Sequence, residues 1–122
     1  MAASDDLLVT RVDSTTCGEP GRSLNRARTH HFVIDEPAHG GGPGEEVTPA
    51  ESFLAGISAC GVLLVERQAL TTGVTLHRAE ATIEGERRRA DTSWFTRIVL
   101  RFRLAGPSQA DAEALVEHYK TH

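Results

Sequence analysis

The stretch Thr48-Pro49-Ala50-Glu51-Ser52-Phe53-Leu54-Ala55-Gly56-Ile57-Ser58-Ala59-Cys60, continued to Thr72, decides how this chain folds. Thr48 can cap a helix, Pro49 suits a first turn that needs no N–H, and Glu51 stands at the capping-box offset. From Phe53 onward almost no polar face appears before Glu66-Arg67, which predicts a helix to about Thr72 that is buried on most sides. Gly56 and Gly61 each cost about 1 kcal/mol relative to Ala inside a helix. Their presence points to close packing against another backbone, the equivalent helix of a second subunit.

Upstream, the glycine-rich stretch His39 to Gly44 reads as a mobile loop, and it lacks the Lys and Ser/Thr of a phosphate cradle. Before it, Leu24 to Ile34 alternates as one extended strand that puts Leu24, Arg26, Arg28, His30, Phe32 and Ile34 on a single, core-directed face. Asp35-Glu36-Pro37 stops that strand. Leu7 to Thr15 is a shorter strand, closed by the turn Cys17-Gly18-Glu19-Pro20-Gly21.

Downstream of Gly73 the chain is extended from Val74 to Glu84, turns through Gly85 to Asp91, and returns from Ser93 to Leu104. On the returning strand Trp94, Ile98, Leu100, Phe102 and Leu104 share one face, with Arg97, Arg101 and Arg103 on the other. A second helix starts at Ser108 with Asp111 as capping partner, and gathers Ala112, Leu115, Val116 and Tyr119 on one side. The predicted order is β-β-α-β-β-α. Hairpins separated by a helix make the class α+β rather than a doubly wound sheet.

At 122 residues the chain reads as one domain, 1–122, in which a monomer buries only about two thirds of its unfolded surface. A formal charge of −4 leaves no basic field for nucleic acid or an anionic membrane. The acidic start Met1-Ala2-Ala3-Ser4-Asp5-Asp6 lacks the pattern of a signal peptide, and no apolar run approaches the roughly 18 residues of a membrane helix. The expected compartment is the cytoplasm. Cys17 and Cys60 make no disulfide framework, and neither they nor the histidines have metal-ligand spacing, so no metal is expected.

The block from Phe32-Val33-Ile34-Asp35-Glu36-Pro37 through the glycine-rich loop to Thr48-Pro49-Ala50-Glu51 and Ala59-Cys60 resembles the central signature of the OsmC/Ohr family. The resemblance implies an OsmC-like fold in which two intertwined subunits bury their central helices between antiparallel sheets. It also implies reduction of organic or fatty-acid hydroperoxides by a peroxidatic cysteine, which falls on Cys60. No bound cofactor is implied; regeneration is by an external dithiol such as a lipoylated protein. The family's resolving cysteine lies on the last helix, beyond Tyr119-Lys120-Thr121-His122. The expectation is therefore either that the C-terminal end of the domain is missing or that no resolving cysteine on that helix is used. Ala50 stands where the hydroperoxide-resistance branch has Glu, with Glu51 one place later as in the less-characterised OsmC-like branch. The alternative is a non-enzymatic ligand-binding or stress-response protein on the same fold.

A free thiol, with pKa near 8.5, is only a few per cent ionised at neutral pH, so a working Cys60 needs a cationic partner. Cys60 sits too deep in its helix for the dipole to serve. Arg28 ranks first among the candidates, with Arg26 on the same face and Arg22 in the preceding hairpin. Solvation of all three on an edge strand is the plain alternative. Glu51 is a candidate to orient that arginine, although ideal helix geometry sets it about 13 Å from Cys60 on the opposite face, which favours a capping role. Phe53, Ile57 and Trp94 are the candidates to line a pocket for the alkyl tail, with core packing as their alternative.

Overall fold

The computed structural model describes residues 6–121, so the acidic start read above lies, up to position 5, outside the described residues, as does His122. The elements run β1 (Asp13–Thr16), β2 (Arg22–Ala27), β3 (His30–Asp35), a 3₁₀ turn (Ala38–Gly40), α1 (Pro49–Thr72), β4 (Arg78–Glu86), β5 (Arg97–Ala105) and α2 (Gln109–Thr121). The protein is α+β, with two antiparallel sheets and two helices. It divides into two compact units, residues 1–52 and residues 53–122.

The first unit holds the sheet β1-β2-β3. The expected single strand Leu24–Ile34 is in fact a hairpin: Ala27 pairs with His30 around a two-residue turn at Arg28-Thr29. Such turns need positive φ, which Arg28 adopts at 57° without being glycine. The turn also inverts the alternation. Leu24 pairs with Val33 and Arg26 with His31, so His30, Phe32 and Ile34 fall on the face opposite Leu24 and Arg26. Asn25, 5% exposed, ties the three strands together: its Oδ1 accepts from the Ser14 hydroxyl (2.6 Å) and its Nδ2 donates to the Phe32 carbonyl (3.2 Å).

Leu7 to Val12 form no strand, so the first element is shorter than expected, and Leu7, Leu8 and Val9 stay exposed. The glycine-rich stretch is not a free loop. Gly42 donates to Pro37 O and Gly44 to Glu36 O. A Cβ on Gly42 would strike the Glu36 carbonyl, so only glycine permits this fold-back.

α1 starts where the capping signals put it. The Thr48 N–H donates to Glu51 Oε1 (2.9 Å) and the Glu51 N–H to Thr48 Oγ1 (3.2 Å). It ends at Gly73, φ 74°, where the Val74 N–H reaches back to Ala69 O.

In the second unit β4 and β5 pair along their whole length, with Ala79 opposite Leu104, Ala81 opposite Phe102 and Ile83 opposite Leu100 on the inner face. The outer face is charged, with Arg101 on Glu84 (2.7 Å) and Arg97 on Glu86 (3.4 Å). Gly61, Val65 and Ala69 of α1 are buried. A Cβ on Gly61 would lie 3.0 Å from the Phe102 ring, which accounts for one of the two helical glycines by close approach to a side chain. Val65, Ala69 and Leu115 form the core, with Phe102, Leu104 and Tyr119 packed around it.

The expectation that α1 is buried on most sides does not hold within this chain. Its exposed side carries Phe53, Leu63 and Leu70 at 55, 60 and 78% exposure. The expectation that no stretch is long and apolar enough for a membrane span is corrected as well: by length and composition alone α1 is. Its Gly, Ala and Ser residues interrupt any continuous oily run without making the helix polar.

Candidate functional site

Cys60 is a free, exposed thiol on α1. At about 100° per residue, Phe53, Gly56, Cys60, Leu63, Arg67 and Leu70 make one stripe. It lies on the side away from the sheet-facing positions Gly61, Val65 and Ala69, so Cys60 is set among small and apolar neighbours outside the core. Ile57, half-buried, borders the stripe on the side nearer the sheet.

The aromatic neighbour of Phe53 is Phe95 rather than Trp94. The two phenyl rings stack with centroids 5.8 Å apart and planes within 11°. Trp94 lies before β5, outside the strand expected to hold it, and is 62% exposed. The strand begins only at Arg97 because Ser93 folds onto Asp91: the Ser93 N–H and hydroxyl both donate to the Asp91 carboxylate. These bonds hold the Asp91 carboxyl below its usual range. The alternation pointed to Trp94; the nearest signal for Phe95 was Gly85 on the opposing strand, whose missing side chain leaves room for that ring.

In the first unit the structure singles out Arg22. Its Nε and Nη2 donate to the two oxygens of Asp35 at 2.8 and 2.9 Å, and Nη2 also meets Glu45 at 3.0 Å. The backbone N–H groups of Glu45 and Glu46 donate to the same Asp35 carboxylate, whose side chain is fully buried. Chiefly through Arg22, these donors hold the Asp35 carboxyl down to about 2. The Arg22 guanidinium is in turn pushed further above its ordinary value, first by Asp35 and then by Glu45. In the sequence Asp35 stands out only as a strand stop; its pairing with Arg22 depends on the hairpin that brings the two into register.

Arg28, ranked first for the thiol, is exposed in the hairpin turn, so the inward strand face that recommended it does not exist. Arg26 is exposed and pairs with Asp13 at 3.5 Å. Glu51 is engaged with Thr48 in the cap. Cys17, exposed, lies against the Arg22 carbonyl at 3.9 Å.

A groove of about 720 Å³ runs between β5 and α2, and a hollow of about 320 Å³ lies on the β1-β2-β3 sheet at Asp13, Leu24, Arg26 and His31. Neither includes Cys60, Phe53, Ile57 or Trp94. Among the described residues no group of three or more His, Cys, Asp or Glu side chains is arranged to hold a metal ion.

The thiol-bearing helix, the hairpin after it and α2 all fall within residues 42–122, the stretch that matches the sequence pattern of OsmC-like proteins. This chain belongs to the OsmC family. Solved structures share the fold of this OsmC chain at low identity. An OsmC-like protein from Mycoplasma pneumoniae has TM-score 0.82 at 13% identity, over 94% of this chain and 82% of that one. A Legionella pneumophila protein described as an organic hydroperoxide resistance protein has TM-score 0.74 at 22% identity, over 96% and 85%. An organic hydroperoxide resistance protein from Elizabethkingia anophelis has TM-score 0.75 at 16% identity, over 97% and 85%. No curated protein matches this chain.

Proposed function

We propose that this OsmC protein is a thiol-dependent peroxidase that reduces organic hydroperoxides at Cys60. The observation that carries this reading is an unpaired, solvent-reachable cysteine on the outer stripe of α1, whose members apart from Arg67 are small or apolar, in a chain of a family that includes organic hydroperoxide resistance proteins. The Cys60 thiolate attacks the terminal peroxide oxygen; an S–O bond forms, the O–O bond breaks, and the departing alkoxide takes a proton to become the alcohol. Cys60 is then a sulfenic acid. An external dithiol, such as a lipoylated protein, restores it: one thiol displaces water to give a mixed disulfide, and the second closes the reductant's own disulfide and frees Cys60.

Neither step needs a bound cofactor. The stripe of Phe53 and Leu63 supplies apolar contact for the alkyl part of the substrate, and a second copy of the chain laid on it closes the site and excludes water. Such a homodimer also covers a helix that is otherwise long and apolar enough to enter a membrane. The protein then works without membrane or nucleic acid, and the cytoplasm, with its supply of dithiols, suits it.

Peroxide consumption is measured with a dithiol reductant for the wild type and Cys60→Ser. The expected result is turnover of organic hydroperoxides that the substitution abolishes, with a 16 Da mass gain on Cys60 under mild oxidant, about one oxygen atom. Equal rates in the two proteins, or an inert Cys60, would leave the same fold as a ligand-binding protein.

A further inference from the structure

The connection between β4 and β5 is a tip pinned at its base. The Thr96 N–H donates to Glu86 O (2.8 Å) and the Thr96 hydroxyl to the same carbonyl (3.1 Å). Beyond them Arg88 and Asp91 close a tight turn, the Asp91 N–H reaching Arg88 O at 3.1 Å. Every residue from Glu86 to Trp94 is exposed, whereas Phe95 turns back, half-buried, and stacks on Phe53. Phe53 shares the outer stripe of α1 with Cys60, seven residues on. That is close to two turns, or about 10 Å of rise.

Three consecutive cations, Arg87, Arg88 and Arg89, crowd this tip. Among the described residues none of them pairs with a carboxylate, and Arg87 rests 5.2 Å from the centroid of Phe95. Arg67 and Arg103 have no carboxylate either, but each stands singly; adjacency sets the three apart. The acid inside the tip does not offset them. Asp91 accepts from the Ser93 N–H and hydroxyl, and the Trp94 indole adds to the donors on the same carboxylate. Glu86, at the base, is held by Arg97. The edges of the three guanidiniums thus stay available to an incoming anion.

Trp94 completes the surface, 62% exposed beside the arginines. Trp and Arg are the side chains on which protein interfaces most depend, and clustered guanidiniums take carboxylates through paired, charge-assisted hydrogen bonds. A long polyanion fits poorly, because three adjacent cations span a short stretch of a chain whose formal charge is −4. The surface suits an acidic patch on another protein.

We propose, resting on the peroxidase reading above, that Arg87, Arg88, Arg89 and Trp94 form the docking surface for an acidic protein that carries the reducing dithiol to Cys60. Carboxylates of the carrier meet the guanidiniums, an apolar residue covers Trp94, and the dithiol reaches along the outer stripe of α1. There it gives two electrons and two protons to the Cys60 sulfenic acid, which becomes the thiol and water, and the carrier is left as its disulfide.

Two reductants that present the same dithiol separate docking from chemistry: dihydrolipoamide, small and neutral, and a reduced, tryptophan-free lipoyl domain of negative net charge. With the lipoyl domain at low salt, the double variant Arg88→Gln/Arg89→Gln is expected to raise the reductant KM about tenfold at unchanged kcat. With dihydrolipoamide its kinetics are expected to match the wild type. Arg88→Lys/Arg89→Lys keeps most of the wild-type behaviour, and the advantage of the wild type fades as salt is raised. An equal loss with both reductants, or no loss with either, overturns the proposal. Trp94 is the single tryptophan of the chain, so its emission reports docking without turnover. If neither reductant supports peroxide turnover, the peroxidase reading fails, and titration of this emission with the lipoyl domain decides the surface alone. A saturable, salt-sensitive shift that weakens about tenfold in the Gln variant supports an acidic protein partner; an unchanged emission, or a shift with anionic phospholipid vesicles and none with the lipoyl domain, sinks it. Thermal melts establish that each variant is folded.

Discussion

Arg22 grips Asp35 with two parallel hydrogen bonds of 2.8 and 2.9 Å, and the Asp35 carboxylate is completely out of contact with solvent. The pair closes the β2–β3 sheet at the end remote from the hairpin turn, since Arg22 and Asp35 face each other in register. It also ties down the segment after β3, because Glu45 and Glu46 donate their backbone N–H groups to the same carboxylate. Arg22 is therefore a side chain whose charge is already engaged.

A pH dependence of stability follows from that pair. Asp35 is held down to about 2, below its ordinary 3.8, so the folded state favours the ionised form. Its stabilising contribution is fully present above about pH 4 and is lost as the pH falls through about 2. Arg22→Met leaves the carboxylate buried without its partner, which raises its pKa and lowers stability at neutral pH. Urea melts from pH 2 to 7 are expected to show a wild-type acid limb that is displaced upward in pH by Arg22→Met. Superimposable limbs would mean that the pair contributes nothing.

The capping box at Thr48 and Glu51 is a second, separable contribution. Each of Thr48→Ala and Glu51→Ala is expected to lower stability by about 1 kcal/mol. Because the two side chains serve one another's N–H groups, the double variant loses less than the sum. Denaturation of the two single variants and the double variant measures the coupling; strict additivity would assign Glu51 to something other than the cap.

These two regions differ in how far the sequence disclosed them. The limits of α1 were legible because Thr48, Pro49, Glu51 and Gly73 are local signals that act within one turn of the residues they cap. The inner face of the β4–β5 hairpin was legible for the same kind of reason, its alternation being carried by residues in direct sequence. The hairpin at Arg28-Thr29 was not, since neither residue carries the usual Gly, Asn or Asp preference for positive φ. With the turn hidden, period two continued through it and assigned Arg28, His30, Phe32 and Ile34 to the wrong face relative to Leu24. The Arg22–Asp35 pair was lost with it, being a cross-strand contact that exists only once the hairpin is known. Trp94 falls outside β5 because an Asp91–Ser93 turn, invisible to alternation, delays the strand.

The outer stripe of α1 leads to the last prediction. Phe53, Leu63 and Leu70 stand exposed there, and a Cβ on Gly56 would meet nothing within 4 Å, so the chain itself offers that glycine no reason to be small. In an isolated monomer Gly56→Ala would stabilise the helix by about 1 kcal/mol. A partner helix crossing at Gly56 reverses the sign, because the added carbon then meets another backbone. The expected result in sedimentation velocity at micromolar concentration is a particle of twice 13.2 kDa. Leu63→Glu, which places a carboxylate in the apolar contact, is expected to shift it to the monomer, and Gly56→Leu to weaken it in the same direction. A wild type that sediments as a monomer removes the dimer. Co-sedimentation of that monomer with phospholipid vesicles would give the exposed face of α1 to a membrane instead.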